Sequence, residues 1–441
     1  MKKFLILSSI ILSLGCNGQH LERKLFHGFR LQPGPDNSVQ VAATGPTGTA
    51  TNAELQSNDI ILKINEIEIE DFNSLRSSEL QNLRAGEEVR YTVKRGDQTL
   101  ELVGIGEPLP EETGDSPQTR YFEIPFDGGH LRAIANLPEG EGPFPTVYFI
   151  QGYTCSSIES NWPGHPYRQL AKAFTEAGIA FVRVEKPGVG DSQGMEDCME
   201  TDFHYEVQSF TEAGKYVRKF DWVDADQFYI FGHSMGGYLA PIVAKEVPSA
   251  GIAAYGTRHE PWREYFLQMW RFQLVRQGFS YSEVEERMGD YYNLAYHLFY
   301  LKESPEEIAQ SHPELVDEME DGLAWSGGDV ILFRNYDALQ SVDELPVVPS
   351  WLSYEGKVLI FYGTADFEVC SDESPKEMVR MMNIEHPGSA EYVEIQGADH
   401  SMFQVGSMEE AVNMSDEERR SAMMKGIDQK IPRAIIEWTR E

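Results

Sequence analysis

A serine between two glycines, Ser234 in the pentapeptide of residues 232–236, is the residue of this chain best placed for nucleophilic chemistry. It follows an apolar run, residues 227–231, and precedes a small-residue segment, residues 237–245, that predicts a helix. A sharp turn between a strand and a helix needs flanking glycines and lifts the serine hydroxyl clear of the sheet edge. The pattern alone is weak, since a chain of this length matches it by chance roughly once in seven. Whether Ser234 is a nucleophile therefore depends on whether the chain also supplies the residues that would activate it.

A serine hydroxyl becomes a nucleophile when a base accepts its proton, and the base needs an acid that fixes its tautomer and stabilises its charge. Asp366 is the predicted acid because it comes soonest after the turn that ends the predicted strand 357–362. Glu368 and Asp372 are the neighbouring alternatives. So close to the strand, the short side chain of an aspartate can point inward to the base.

His400 is the predicted base. Of the eleven histidines, only His386 and His400 follow Asp366 in the chain. His386 lies in a turn before the last predicted strand, residues 391–395, whereas His400 follows that strand. We therefore expect His400 to lie on the same side of the sheet as Ser234, where the three side chains would form a triad for acyl transfer.

Acyl transfer also requires hydrogen-bond donors where the substrate carbonyl oxygen becomes negative. One predicted donor is the backbone N–H of Met235, directly after the serine. The other is the N–H of Tyr153, in the loop 151–155 after the predicted strand 146–150. No His or Cys cluster has metal-ligand spacing, and residues 188–190 lack the third glycine of a dinucleotide loop. We expect neither a metal nor a cofactor.

Strands that alternate with helices must position these residues. From about residue 120, an initial hairpin is followed by apolar runs separated mostly by helical segments, which indicates a parallel sheet covered on both faces. The apolar runs are residues 146–150, 179–184, 227–231, 251–255, 357–362 and 391–395. Between the fourth and fifth runs lie amphipathic helical segments rich in aromatic residues. They predict a helical cap, residues 258–350, over the serine.

These features together resemble the α/β-hydrolase family, in which nucleophile, acid and base follow in the order Ser, Asp or Glu, His. The resemblance covers residues 120–441. The turn 186–192 resembles the G-x-G-x-S turn that follows the fourth strand in this family. The dipeptides 256–257, 261–262 and 387–388 are similar to a bacterial branch described as serine aminopeptidase-like or lipase-like. The resemblance implies an α/β fold and a serine hydrolase acting on carboxylic esters or thioesters. A serine peptidase of the same fold, and an envelope scaffold with an inactive hydrolase domain, are the alternatives.

A smaller β-rich module, residues 28–106, precedes this region. Four strands are predicted within it, and a helix is predicted over residues 72–83. The runs 58–65 and 84–96 resemble a PDZ domain, which implies that an extended peptide adds to an open sheet edge. The nearest candidate for the carboxylate-binding loop is residues 28–31. The module is expected to dock a substrate or partner, or else to act as a spacer, and residues 107–119 predict a semi-rigid linker.

The N-terminus predicts export. Residues 1–15 carry a basic start and a short apolar run. They resemble a bacterial lipoprotein signal, which implies cleavage before Cys16, lipidation of its thiol and a tether over residues 16–27. An ordinary secretory signal is the alternative. In either case the mature protein leaves the cytoplasm, and the lipid would hold it in the bacterial envelope, on a periplasmic or outer-membrane face.

Cys155, Cys198 and Cys370 are the remaining cysteines. Cys155 and Cys198 both follow predicted strands of one parallel sheet, so their loops come close together and predict a disulfide. Two free thiols are the alternative. The redox state of Cys370 stays open.

The charge balance restricts the partners. The formal net charge is −34, from 37 basic and 71 acidic residues, which argues against nucleic acid or an anionic lipid surface. No internal apolar run approaches the length of a membrane span. The expected partners are a small-molecule ester or short peptide substrate and a peptide or protein at the PDZ-like module, with membrane contact through the lipid only.

Overall fold

This computed structural model describes residues 21–72 and 74–441. Two large β-sheets, separate from each other, organise these residues. The predicted signal segment and Cys16 lie outside the described residues. No helix among the described residues has the length and apolar character that crossing a bilayer requires.

The first sheet is antiparallel and forms the predicted β-rich module. Its spatial order is β1-β2-β3-β5-β6, with β4 paired to β3. Alternating side chains of β5 are fully buried (Val89, Tyr91 and Val93), as expected for a strand with one face on a core. Its strands are β1 Phe29–Pro33, β2 Val39–Thr44, β3 Ile60–Ile64, β4 Ile67–Glu68, β5 Glu88–Arg95 and β6 Gln98–Ile105.

Two features of this module differ from the sequence-based expectation. Strand β1, at one edge of the sheet, was not predicted, although its five residues alternate between apolar and polar side chains. It begins inside the segment 28–31 that was the candidate carboxylate-binding loop, and it pairs with β2. The predicted helix over residues 72–83 is wrong in extent. A 3-10 turn over Ser74–Arg76 and the short helix α2, Ser78–Gln81, replace it, and α1 spans Thr49–Asn52.

The second sheet has eight strands in the order β16-β15-β12-β11-β9-β10-β8-β7. All neighbours from β10 to β16 are parallel, and β7 and β8 form the antiparallel hairpin at one edge. The topology confirms the predicted α/β-hydrolase fold class. Its strands are β7 Gln118–Phe126, β8 Gly129–Leu137, β9 Phe144–Ile150, β10 Ala180–Val184, β11 Val223–His233, β12 Gly251–Tyr255, β15 Lys357–Gly363 and β16 Ala390–Ile395.

Helices cover both faces of this sheet, because each has an apolar side that must be buried. Helices α4, α5 and α12 pack on one face, where Phe210, Leu239 and Met378 are buried. Helices α3 and α15 pack on the other, with Phe174 and Trp438. With the cap helices numbered between them, these elements are α3 Pro166–Glu176, α4 Phe203–Val217, α5 Met235–Ala244, α12 Glu373–Glu385, α13 Met408–Asn413, α14 Asp416–Lys425 and α15 Lys430–Thr439.

The cap lies between β12 and β15 and has a core of its own, including Phe266, Trp270 and Tyr291. It is not entirely helical. A two-residue turn at Leu332 and Phe333, both with positive φ (47° and 67°), joins the short strands β13 Val330–Ile331 and β14 Arg334–Asn335. Strands of two residues are too short for periodicity to predict. The cap helices are α6 Trp262–Arg276, α7 Tyr281–Ala295, α8 Pro305–Ser311, α9 Val316–Leu323, α10 Tyr336–Val342 and α11 Val347–Leu352, with a π-helical turn at Tyr296–Leu301.

The two domains meet at a buried polar junction centred on Asp191. Its carboxylate lies 2.5 Å from the Arg23 guanidinium and 3.2 Å from that of Arg132. Arg84 of the first domain donates to the carbonyl of Gly190 at 2.8 Å. The described end of the predicted tether is therefore attached to the second domain.

The segment predicted as a semi-rigid linker is also held in place. Glu112 pairs with Arg183 at 2.6 Å, and both side chains are fully buried. Asp115 pairs with Arg168 at 2.5 Å, and β7 begins at Gln118, inside the predicted linker. Because a buried charge requires a partner, these acidic residues bind the segment along the second domain instead of leaving it as a spacer.

Candidate active site

Ser234 occupies the turn between β11 and α5. Its backbone has φ 56° and ψ −123°, a conformation that non-glycine residues rarely adopt. A side chain on Gly236 would overlap the carbonyl of Ile150, and one on Gly232 would overlap the backbone of Gly236. Both glycines are thus required by close backbone approach, and the turn presents the serine hydroxyl above the carboxyl ends of the strands.

The structure brings Ser234, His400 and Asp366 together. The Nε2 atom of His400 lies 2.8 Å from the Ser234 Oγ, and its Nδ1 lies 2.9 and 3.0 Å from the two Asp366 carboxylate oxygens. Asp366 is fully buried, and its Oδ1 also accepts the backbone N–H groups of Glu368 (3.1 Å) and Val369 (2.9 Å). In the neutral imidazole, the contact of Nδ1 with the Asp366 carboxylate makes Nδ1 the protonated nitrogen, so that Nε2 presents its lone pair to the serine.

The charge around His400 favours its protonated form. Burial alone lowers the pKa of an imidazole, but the carboxylates of Asp366 and then Glu368 outweigh it and raise the pKa of His400 to about 9. Ligand-type atoms of Asp366, Glu368 and His400 lie within 4.8 Å of one another. Both nitrogens of His400 already contact Ser234 and Asp366. The group is therefore an electrostatic cluster and does not offer a free set of metal ligands.

Of the other candidate acids and bases, Glu368 lies beside His400, whereas Asp372 and His386 lie elsewhere. Asp372 forms an ion pair with Lys376 at the start of α12. His386 ends α12, where its Nε2 contacts the carbonyl of Leu352 at 2.9 Å. Neither side chain lines the cavity that holds Ser234.

His233 has a position that sequence reasoning missed. Its Nε2–H donates to the backbone carbonyl of His400 at 2.8 Å. Burial lowers the pKa of His233 to about 4, so the ring is neutral near pH 7. The residue directly before the serine thus holds the backbone of the predicted base. The pentapeptide places His233 directly before Ser234, which was the one signal in the sequence for this residue. The sequence does not indicate where the His233 side chain points.

The two predicted oxyanion donors lie on either side of the serine. Met235 is the first residue of α5, whose opening N–H groups have no partner within the helix. Tyr153 follows Gly152, at which a Cβ would lie 3.5 Å from the Ser234 Oγ. Over residues 21–72 and 74–441, neither the Met235 nor the Tyr153 N–H donates to a protein acceptor. Both remain available to a substrate oxygen.

A cavity of about 590 Å³ opens onto Ser234 and His400. Its charged residues include Glu368 and the Arg258–Glu260 ion pair (2.8 Å). The turn at Leu332 and Phe333 forms part of its wall and also borders a neighbouring cavity of about 530 Å³, which Lys24 from the first-domain side lines as well. The aromatic lining consists of Tyr153, Tyr167, Tyr238, Trp262, Tyr265, Phe266 and Phe333.

The loop that carries Tyr153 is covalently tied to its neighbour. A disulfide joins Cys155 to Cys198, which links the loop after β9 to the loop after β10. Cys370 is a buried free thiol near the acid loop, and burial raises its pKa to about 12. Its protonated thiol is a poor nucleophile.

Comparison with known proteins gives matches to both domains. A model of the alpha/beta hydrolase family matches residues 147–413, and a PDZ domain model matches residues 26–103. The chain is 26% identical over 150 residues to esterase FrsA of Klebsiella pneumoniae, covering 32% of this chain and 34% of that protein. It is 24% identical over 153 residues to esterase EstD of Thermotoga maritima, covering 34% and 36%.

The chain thus spans about a third of the length of the curated relatives it matches. Among solved structures, Est1E from Butyrivibrio proteoclasticus with bound ferulic acid aligns at 18% identity and a TM-score of 0.40. That alignment covers 69% of this chain and 99% of the Est1E chain.

Proposed function

Because the chain belongs to the alpha/beta hydrolase family and carries an N-terminal PDZ domain, we propose that it is a serine esterase. It would cleave carboxylic esters or thioesters through an acyl-enzyme on Ser234. The observation that carries this proposal is the 2.8 Å contact between the Ser234 Oγ and the His400 Nε2, with buried Asp366 on the other side of the imidazole.

The geometry supports a two-step reaction. As the Ser234 Oγ attacks the substrate carbonyl carbon, the His400 Nε2 accepts the hydroxyl proton, and Asp366 stabilises the imidazolium. The N–H groups of Met235 and Tyr153 donate to the oxyanion. The intermediate collapses with loss of the alcohol or thiol, which takes the proton from Nε2. Water, activated by the same nitrogen, then attacks the acyl-enzyme and releases the carboxylic acid and the serine.

The cavity supports an apolar substrate group. Its aromatic lining suits an apolar acyl or aryl group, since transfer of apolar surface from water supplies most of the binding free energy of such a group. The names of the two curated relatives favour ester over peptide hydrolysis, although each matches only part of this chain.

The PDZ domain is proposed to dock a peptide or protein partner. Strand β1 provides one of the two edges of its sheet, and a peptide could add there as a further strand. Lys24, just before this domain, lines the cavity that adjoins the active-site cavity. Residues just before the PDZ domain therefore reach the neighbourhood of the catalytic entrance. Peptides with a free C-terminal carboxylate should bind more tightly in calorimetry than the same peptides amidated, and equal affinities would argue for a spacer.

We also propose export with a lipid on Cys16, on the basis of the sequence alone. Metabolic labelling with palmitate, followed by membrane fractionation, tests this. Cys16→Ser should abolish labelling and release the protein from the membrane, whereas labelling that persists in the variant would exclude Cys16 as the acceptor.

The activity is tested with purified protein on chromogenic esters of increasing acyl length and on aminoacyl anilides. We expect ester turnover that Ser234→Ala abolishes and that Ser421→Ala, a remote serine on α14, leaves unchanged. Turnover of anilides without esters would favour the peptidase. A failure of Ser234 to react with a fluorophosphonate probe, together with no turnover, would favour the inactive scaffold.

A further inference from the structure

Three buried charged side chains lie behind the loop that carries Tyr153. Lys186 follows β10, Glu206 lies in α4 and Arg334 opens β14 in the cap. The Nζ of Lys186 lies 2.8 Å from the Glu206 Oε1, and the Nη1 of Arg334 lies 3.0 Å from the Glu206 Oε2. None of the three side chains is more than 1% exposed. Three separate elements of the fold therefore converge on one point.

Both cations donate to backbone carbonyls of the loop. The Lys186 Nζ contacts the carbonyl oxygens of Gly152 at 2.6 Å and Tyr153 at 3.2 Å. The Arg334 Nη1 contacts the Tyr153 carbonyl at 3.3 Å. The Nη2 of Arg334 donates to the carbonyls of Cys198 and Thr201, at 2.9 and 3.2 Å. The cluster is therefore hydrogen-bonded to both of the loops that the disulfide joins.

The carbonyl of Gly152 and the N–H of Tyr153 belong to the same peptide unit. Because that unit is planar and trans, the two groups point in opposite directions. A hydrogen bond from Lys186 to the Gly152 oxygen therefore fixes the direction of the Tyr153 N–H. If the unit rotated by half a turn, it would direct a carbonyl oxygen, and not a donor, to the region where the substrate oxyanion forms.

On the basis of the proposed function, we propose that Lys186 and Arg334, joined through Glu206, are positioning residues of the oxyanion hole. They contact no substrate atom and act through the peptide unit between Gly152 and Tyr153. The cluster holds two cations and one anion, so its net positive charge also favours negative charge forming nearby. Arg334 directly follows the turn of Leu332 and Phe333, so the same contacts hold the cavity wall beside the loop.

The first test replaces Lys186 by methionine, which keeps the length of the side chain and removes its donors. We expect Lys186→Met to lower kcat about 10- to 100-fold, which is less than the roughly 100- to 1,000-fold loss on removing an oxyanion donor itself, with KM changed by less than about twofold. An arylboronic acid forms a tetrahedral adduct on the serine and places an oxygen where the oxyanion forms. Its affinity should fall by a similar factor, while the affinity for the carboxylic acid product stays the same.

Arg168→Met is the matched control, since Arg168 is also a buried cation in an ion pair and lies away from this loop. It should lower the melting temperature without lowering kcat. The proposal is overturned if Lys186→Met folds, loses thermal stability like the control and keeps both kcat and boronate affinity. If Lys186→Met does not fold, Arg334→Lys provides the test, because it keeps the charge and loses the forked donor.

For Arg334→Lys we expect a severalfold lower kcat with the same split between boronate and product binding, and an unchanged kcat would refute the role of Arg334. These outcomes are separable from failure of the proposed function. If the wild-type protein shows no turnover that depends on Ser234, the esterase assignment fails. The positioning role is assessed by comparison with an active wild type.

Discussion

Glu368 provides the sharpest electrostatic prediction. Glu368 is an exposed residue that lines the active-site cavity, but burial raises the pKa of its carboxyl group, which lies within 4.8 Å of the ligand-type atoms of His400 and Asp366. The pKa of His400 is raised to about 9, with Asp366 and then Glu368 as the carboxylates that raise it. Because the base must be neutral to accept the proton of Ser234, kcat/KM should rise with pH and level off above that pKa. Glu368→Gln removes one of the carboxylate charges around His400, which also include Asp399, and should move the rising limb to lower pH.

The magnitude follows from Coulomb's law. At the 4.8 Å limit, one unit charge contributes about 0.9 kcal/mol in water and about 3.5 kcal/mol at an effective dielectric constant of about 20. These energies correspond to roughly 0.6 and 2.5 pH units. Since Glu368 is exposed, solvent screening favours the lower end. We expect the limb to move down by about 0.6 to 1 pH unit, which raises kcat/KM about four- to tenfold well below the pKa.

The assay is the pH dependence of kcat/KM for one neutral chromogenic ester, measured at constant ionic strength. Asp372→Asn is the control, since Asp372 pairs with Lys376 and lies outside the cavity. Its profile should match that of the wild type. A rising limb that stays in place, or moves to higher pH, in Glu368→Gln would refute the electrostatic reasoning. An increase in ionic strength should reduce the difference between Glu368→Gln and wild type.

Three further variants test the support of the serine and its loop. His233→Phe should lower kcat/KM about tenfold, because a hydrogen bond to the His400 carbonyl is lost, and an unchanged value would exclude a positioning role. Gly236→Ala should destabilise the fold by at least about 1–3 kcal/mol in urea unfolding, because its Cβ would overlap a backbone carbonyl; wild-type stability would contradict the close approach. Cys198→Ser should lower the free energy of unfolding by about 2–4 kcal/mol, because it removes the Cys155–Cys198 disulfide. Wild-type protein in which this disulfide is reduced should unfold like the variant. An oxidised wild type that is no more stable than Cys198→Ser would argue against the bond.

The sheet and the order of the chemical residues could be predicted because they depend on local pattern. Buried parallel strands are short apolar runs, and Ser234, Asp366 and His400 each follow one of them. Carboxyl ends of parallel strands share one edge of a sheet, so residues distant in the chain were expected to meet there. The structure places the three within hydrogen-bond distance.

Other features were missed because they are too short to show a pattern or because they depend on partners that are distant in the chain. Strand β1 exists through its pairing with β2, and the hairpin at Leu332 and Phe333 is too short to show periodicity. The predicted linker is attached because Arg183 and Arg168 on the second domain need acidic partners. The residues around the two arginines and around their acidic partners do not indicate that these side chains pair.

Glycine spacing and apolar runs are local properties, so the serine turn, the strand order along the chain and the presence of two domains could be predicted from the residues alone. What holds the site together became visible only in the folded molecule. It placed His233 against the carbonyl of His400, Glu368 beside the imidazole, and Lys186 with Arg334 behind the Tyr153 loop. The physical reason is that buried charges and orientated peptide units are satisfied by partners from other elements, which no local pattern specifies.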